Sequence, residues 1–174
     1  ILKRESFTPD TWAEWCHEAQ AEAVPGALEF TRFAARNGVA VFYITNRDSS
    51  LDEITRKNLE NKGFPLDPNV DTVLTNGEKP NWNSSKVERR RHVAENYRVL
   101  LLFGDDFNDF APVRESSMTE RKKIVADANG RWGVRWFLLP NPTYGSWERA
   151  LRIKADRKNA KKYYEAKLQR LNAA

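Results

Sequence analysis

Three aspartates in six residues, Gly104-Asp105-Asp106-Phe107-Asn108-Asp109, follow directly on the apolar run Val99-Leu100-Leu101-Leu102-Phe103. Hard divalent cations such as Mg²⁺ prefer carboxylate oxygens and keep part of their water, so one or two aspartates at a strand end plus a substrate phosphate suffice to hold one. Asp105 is the natural ligand, and Asp109, four residues on, is one helical turn away if the chain coils there. An acidic turn of this kind also serves simply as a loop or helix cap.

Two other positions could share a phosphate with that corner. Thr45 ends the run Val39-Ala40-Val41-Phe42-Tyr43-Ile44, where its hydroxyl and the following backbone amides, Asn46 first, could hold a phosphate oxygen or cap a helix. Lys86 follows Ser84-Ser85 near a helix start, where a cation is unfavourable to the helix dipole unless it neutralises an anion. Its plain alternative is a solvated lysine in a basic helix with Arg89, Arg90 and Arg91.

The elements that must position these residues follow from periodicity and punctuation. Thr8-Pro9-Asp10 predicts a helix start, with helical spacing through Trp12, Trp15, Cys16 and Ala19 to about Glu22. Pro25 and Gly38 bracket a second helix whose Ala27, Leu28, Phe30, Phe33 and Ala34 form an apolar stripe expected to face the core. The runs 39–44 and 99–103 have the form of strands buried on both faces in a parallel sheet. A helix over 51–61 stopped by Gly63, a strand over 71–74, a basic helix over 84–95, a strand over 134–138 and helix after Gly145 complete the reading. Strands alternating with helices predict an α/β fold, a three-layer parallel sheet with helices on both faces and a helical appendage from the N- and C-terminal segments. Ligands bind beyond the carboxyl ends of such strands, where both Thr45 and Asp105 stand.

Length and charge narrow the class. At 174 residues, 40% hydrophobic and 30% charged, the chain suits one compact domain with appendages, and its apolar runs are far shorter than a membrane-spanning helix. A single cysteine, Cys16, excludes an intramolecular disulfide. Residues 152–170 hold eight Lys/Arg against Asp156 and Glu165, a net +6 in a chain of net +5, so the rest is near neutral. A basic tail on a neutral body argues against a nucleic-acid polymer as partner. The expected division is a core over 1–150 and a basic helix over 151–174 that packs back through Tyr163, Tyr164 and Leu168.

A Thr at one strand end, a Lys at a helix start and Gly-Asp-Asp-x-x-Asp at the next strand end, in this order, resemble motifs two, three and four of the haloacid dehalogenase (HAD) superfamily. The closer resemblance is to its class C bacterial acid phosphatases, the lipoprotein 5′-nucleotidase family. It extends over Ala23-Val24-Pro25-Gly26-Ala27, Val41 to Arg47, Ser84-Ser85-Lys86, Gly104 to Phe110, and Leu139-Pro140-Asn141-Pro142-Thr143-Tyr144-Gly145-Ser146-Trp147.

The resemblance implies a HAD-like fold and hydrolysis of small phosphomonoesters, nucleoside monophosphates and aryl phosphates among them, through an aspartyl-phosphate. It implies Thr45, Asn46 and Lys86 at the phosphate, Asp105 on Mg²⁺, Asp109 as a supporting carboxylate, and Trp12 with Tyr144 as an aromatic clasp on the leaving group. It further implies a periplasmic, secreted or outer-membrane-anchored bacterial enzyme, and leaves room for a homodimer and for anchoring through a segment upstream of Ile1. The family's Asp-x-Asp-x-Thr motif, which ends the central strand, does not occur in residues 1 to 174. By the family's spacing it is expected a short distance upstream of Ile1, and without that strand the runs 39–44 and 99–103 would lack a ladder partner. The alternatives are a relative that binds phosphate and cation without turnover, and an interaction module whose basic tail docks on an acidic partner or an anionic membrane in a salt-sensitive way.

Overall fold

The computed structural model describes residues 8–141, 144–151 and 159–172. The chain forms two compact units, residues 1–90 and 91–174.

In the first unit, Thr8 opens helix α1 (Pro9–His17) with a reciprocal cap: its hydroxyl accepts the Thr11 N–H and its own N–H donates to Thr11 Oγ1, both at 3.1 Å. The helix ends at His17, short of the predicted Glu22. Helix α2 (Ala27–Arg36) leads to strand β1 (Tyr43–Asp48), and helix α3 (Asp52–Lys62) leads to strand β2 (Val73–Asn76). Gly63, at φ 77°, closes α3 in the left-handed conformation that glycine adopts without strain. A Cβ there would lie 2.0 Å from the Arg32 guanidinium, whose Nε donates to Gly63 O at 2.8 Å and so ties α2 to the end of α3. Asn58, buried on α3, binds both backbone groups of Ala21 at 3.0 and 3.1 Å and fixes the α1–α2 connection. β1 and β2 pair in parallel, and Thr72, Val73, Leu74 and Thr75 are fully buried.

Helix α4 (Val87–Asn96) carries the boundary between the units. In the second unit, strand β3 (Leu102–Gly104) pairs in parallel with β4 (Trp136–Leu138). Between them lies helix α5 (Met118–Asp127), which sequence reading had not anticipated; Ser117 and Glu120 start it with a capping box. Helices α6 (Ser146–Ala150) and α7 (Ala160–Asn172) complete the unit. Its core is Phe107, Phe110, Ala111 and Val113, with Trp132 packed 5.5 Å from Phe107 and 5.2 Å from Phe110. One of these core residues, Phe107, belongs to the acidic run itself, and Phe110 directly follows it.

The α/β class and the parallel pairing agree with expectation, while several details differ. Among the described residues the strands form two separate two-stranded sheets. Regular pairing begins only at Tyr43, whose N–H donates to Thr72 O at 2.7 Å, and only at Leu102 in the second run. Val99, Leu100 and Leu101, which precede the paired strand, are each 40% exposed instead of buried on both faces. The stripe of α2 does not face a core: Phe33 is 60% exposed and no residue of the helix is buried. On α7, Tyr163 is half-buried, but Tyr164 and Leu168 point to solvent. The helix is held instead by Lys167, whose Nζ binds Glu148 at 2.6 Å and lies 4.4 Å from the Trp147 ring centre.

Candidate active site

In the first unit the β1–β2 register breaks after Ile44↔Leu74 and resumes at Asp48↔Asn76, so residues 45–47 bulge opposite Thr75. A bulge bends a strand and re-aims its side chains. Within it Thr45 Oγ1 accepts the Arg47 N–H at 3.2 Å. Asn46 reaches across to the turn before α4: its Nδ2 donates to Ser84 O at 3.0 Å. Lys86, half-buried, is the last residue of that turn, directly before Val87.

One turn into α4 stands Arg89, with no exposed surface. Its guanidinium donates to Thr45 O, to Asn46 Oδ1 at 2.6 Å, to Asn83 O at 2.7 Å and to Leu74 O at 3.4 Å. A rigid planar fork presents five donors in fixed directions to several acceptors at once, whereas a lysine has three on a single nitrogen. Arg89 therefore binds the bulge with Thr45 and Asn46, strand β2 and the Asn83–Ser84 turn that precedes Lys86 into one piece. In the sequence it stands only as one arginine of the basic helix read over 84–95.

Trp12 projects from α1 and lines an open cavity of about 370 Å³ with Ala13, Asn46, Asp48 and Ser50. The Asp48 carboxyl is held below the usual carboxylate range by hydrogen bonds from the Ser50 backbone and side chain, as befits a cap on the short 3₁₀ turn Ser49–Leu51. Asp48 thus brings a lasting negative charge to the cavity.

In the second unit the acidic run divides its labour. Asp105 is exposed, with one oxygen accepting Asn141 Nδ2 at 2.7 Å. Asn141 Oδ1 also accepts the Tyr144 N–H at 3.4 Å, so one amide joins the predicted metal ligand to the predicted aromatic wall, whose ring is 64% exposed. Pro142 and Thr143 lie outside the described residues. Asp106 turns inward instead. It accepts from Asn108 N at 2.8 Å and from Ser146 N and Oγ at 2.5 and 2.6 Å, which pins the start of α6 to the end of β3.

Asp109 closes a second 3₁₀ turn, Phe107–Asp109, which Asp106 caps, by accepting the Asp106 N–H at 3.2 Å. A Cβ on Gly104 would lie 2.4 Å from Asp109 Oδ2, so any side chain there would displace this carboxylate from where it folds back over the strand end. Beneath the turn, buried Arg121 donates to Val113 O at 3.1 Å and Ser146 Oγ at 3.0 Å. Burial lowers its pKa, and the nearby Asp106 carboxylate raises it. Asp106 and Arg121 were not among the predicted residues; only the Ser117–Glu120 box hints at the helix that carries Arg121.

The donor chemistry at Asp105 suits a hard cation as one ligand, its second oxygen being open beside the one that Asn141 binds. Among the described residues no group of three Asp, Glu, His or Cys side chains is arranged to hold a metal. Thr45, Asn46, Lys86 and Trp12 belong to the first unit, and Asp105, Asp109 and Tyr144 to the second.

Residues 1–147 match the sequence profile of the HAD superfamily, subfamily IIIB (acid phosphatase). The chain belongs to this subfamily. Among solved structures, the subfamily IIIB chain is similar to the class C acid phosphatase from Bacillus anthracis, at 32% identity and a TM-score of 0.76. A crystal structure of the class C acid phosphatase from the same organism with tungstate bound matches at 32% identity and a TM-score of 0.77. In both comparisons 90% of the subfamily IIIB chain is covered, and it spans 66% of the relative's length. The motifs that carried the resemblance, from Ala23 to Trp147, all lie within the matched residues of this subfamily IIIB chain.

Proposed function

We propose that this subfamily IIIB chain is the phosphate- and cation-binding part of a Mg²⁺-dependent phosphomonoesterase acting on small aryl and nucleoside monophosphates. The observation that carries the reading is the division of the acidic run: Asp106 is spent on structure, while Asp105, beside it, keeps an open carboxylate oxygen at the end of β3. Membership of an acid phosphatase subfamily supports it, as does the tungstate, a tetrahedral oxyanion, held by the class C acid phosphatase from Bacillus anthracis.

In this reading Thr45 donates its hydroxyl to a phosphoryl oxygen and Lys86 neutralises another, with Asn46 and Arg89 fixing the bulge that holds Thr45. Asp105 is the cation's protein ligand, and Asp109 shapes the turn that presents it. Bound Mg²⁺ supplies charge neutralisation at the transferring oxygens. The attacking carboxylate is assigned to an Asp-x-Asp-x-Thr motif beyond residues 1–174, in the part of the enzyme that this chain does not span. Its oxygen forms a bond to phosphorus as the ester O–P bond breaks, and the second aspartate protonates the leaving alkoxide. Water then displaces the aspartyl oxygen and releases phosphate. Trp12 and Tyr144 offer planar faces to the leaving group.

The test is hydrolysis of p-nitrophenyl phosphate by the full-length protein in Mg²⁺, with Asp105→Asn expected to lower kcat about a hundredfold or more. Unaltered turnover in Asp105→Asn refutes the assignment. The second reading is a phosphate- and cation-binding relative without turnover. That relative would bind tungstate and leave p-nitrophenyl phosphate intact.

A further inference from the structure

Arg47 serves two parts of the first unit at once. Its backbone N–H donates to Thr45 Oγ1 within the bulge at 3.2 Å. Its guanidinium lies 5.8 Å from the ring centre of Trp12 and 5.5 Å from that of Trp15. Nη1 donates to Thr55 Oγ1 at 3.2 Å, and buried Thr55 is itself fixed by donating to Leu51 O at 2.7 Å. The guanidinium is thus anchored on α3 while it faces two rings on α1.

Trp12 and Trp15 stack at 5.1 Å with an interplanar angle of 25°, yet they are 36% and 42% exposed on a nine-residue helix. A cation over an indole face is attracted by the ring quadrupole, and here one cation serves both rings. Trp12 is also a wall of the cavity that opens onto Asn46, so the orientation of its ring sets the shape of the space beside the bulge.

We propose that Arg47 is a positioning residue that couples the two ends of a bound phosphomonoester: its backbone orients Thr45 at the phosphate, and its side chain holds the Trp12 face for a planar leaving group. This rests on the phosphate-binding role proposed for Thr45 and adds a determinant of selectivity. A flat aromatic group gains from a ring held in one orientation, whereas a compact aliphatic group does not reach it.

The experiment uses non-hydrolysable ligands, so it does not depend on turnover. Phenylphosphonate and methylphosphonate are titrated calorimetrically into the full-length protein in Mg²⁺, for the parent, Arg47→Ala, Arg47→Lys and Trp12→Ala. In Arg47→Ala the phenyl-over-methyl affinity ratio is expected to fall about three- to tenfold, the scale of one or two cation–π contacts. Arg47→Lys should be intermediate, because an ammonium retains the charge but not the planar fork. Adding Arg47→Ala to Trp12→Ala should lower the ratio no further.

A ratio unchanged in Arg47→Ala, or equal weakening of both ligands, overturns the coupling and leaves Arg47 a structural residue. If Arg47→Ala does not fold, the Arg47→Lys ratio decides: parity with the parent overturns the coupling. Binding of neither phosphonate by the parent refutes the phosphate-site reading itself, an outcome distinct from an Arg47-independent ratio.

Discussion

Asp105 and Asp106 are adjacent and chemically identical, yet substituting each should produce opposite phenotypes. Asp106→Ala removes the cap on the 3₁₀ turn, worth about 1 kcal/mol. It also strands the Ser146 N–H and hydroxyl, which Asp106 accepts at 2.5 and 2.6 Å, at about 1 kcal/mol each. The sum, about 3 kcal/mol, is a large part of the 5–15 kcal/mol that typically holds a domain together. With a urea slope of about 2 kcal/mol/M, the unfolding midpoint of the full-length protein should fall by about 1.5 M. Asp106→Asn keeps one acceptor oxygen and should lose about half as much. Asp105→Asn, at an exposed side chain with one bond from Asn141, should shift the midpoint by no more than about 0.2 M, the equivalent of 0.5 kcal/mol. It should nonetheless remove phosphatase activity. Urea titrations of the three variants beside p-nitrophenyl phosphate assays make the comparison. If Asp105→Asn destabilises as much as Asp106→Ala, the division of roles read from the hydrogen bonds is wrong.

Three further outcomes follow from particular contacts. Arg89→Met should cost about 3 kcal/mol by stranding acceptors at Thr45, Asn46 and Asn83, while Arg89→Lys, which keeps a charge but not the fork, should cost less; urea midpoints of both check this. Gly104→Ala should cost about 1–3 kcal/mol as the new methyl displaces Asp109, and calorimetric Tm reads it. Burial pushes the Tyr43 phenol up to about 12, against a smaller lowering by a hydrogen bond with Thr31. Between the unfolded value of about 10 and the folded one the native state binds more protons, so stability is full below pH 10 and falls as pH rises toward 12. Tyr43→Phe should flatten that alkaline slope, at a cost of about 1 kcal/mol near neutrality for the lost bond to Pro65 O. Urea midpoints at pH 9 and 11.5 measure both effects.

The parts of this chain that could be read from its sequence are those whose chemistry is local. Thr45, Lys86 and Asp105 are proposed from the sequence because they follow apolar runs or stand at a helix start, and the Thr8 and Gly63 helix ends depend on residues within one turn. Arg89 could not be read in this way, since its acceptors lie on strands and turns up to 44 residues distant. In the sequence it is one arginine of three in a row; in the fold it is fully buried. The α2 stripe shows the converse. Periodicity revealed that Leu28, Phe30 and Phe33 share a face but not what that face meets, and Phe33 is 60% exposed. Asp105 and Asp106 could not be told apart because the donor that separates them, Ser146, is 40 residues away.

The interleaving of Phe107 and Phe110 with Asp105, Asp106 and Asp109 has a bearing on protein engineering. The rings reach down to Trp132, while the carboxylates on the same few peptide units shape the surface above. A library that repacks this core for heat resistance therefore also shifts Asp105, the proposed cation ligand. Screening it by thermal melting alone would enrich sturdy variants whose Asp105 has drifted from its proposed register. Selecting for turnover and heat together, or leaving residues 104–110 undiversified and working on the exposed face of α2, avoids that trap.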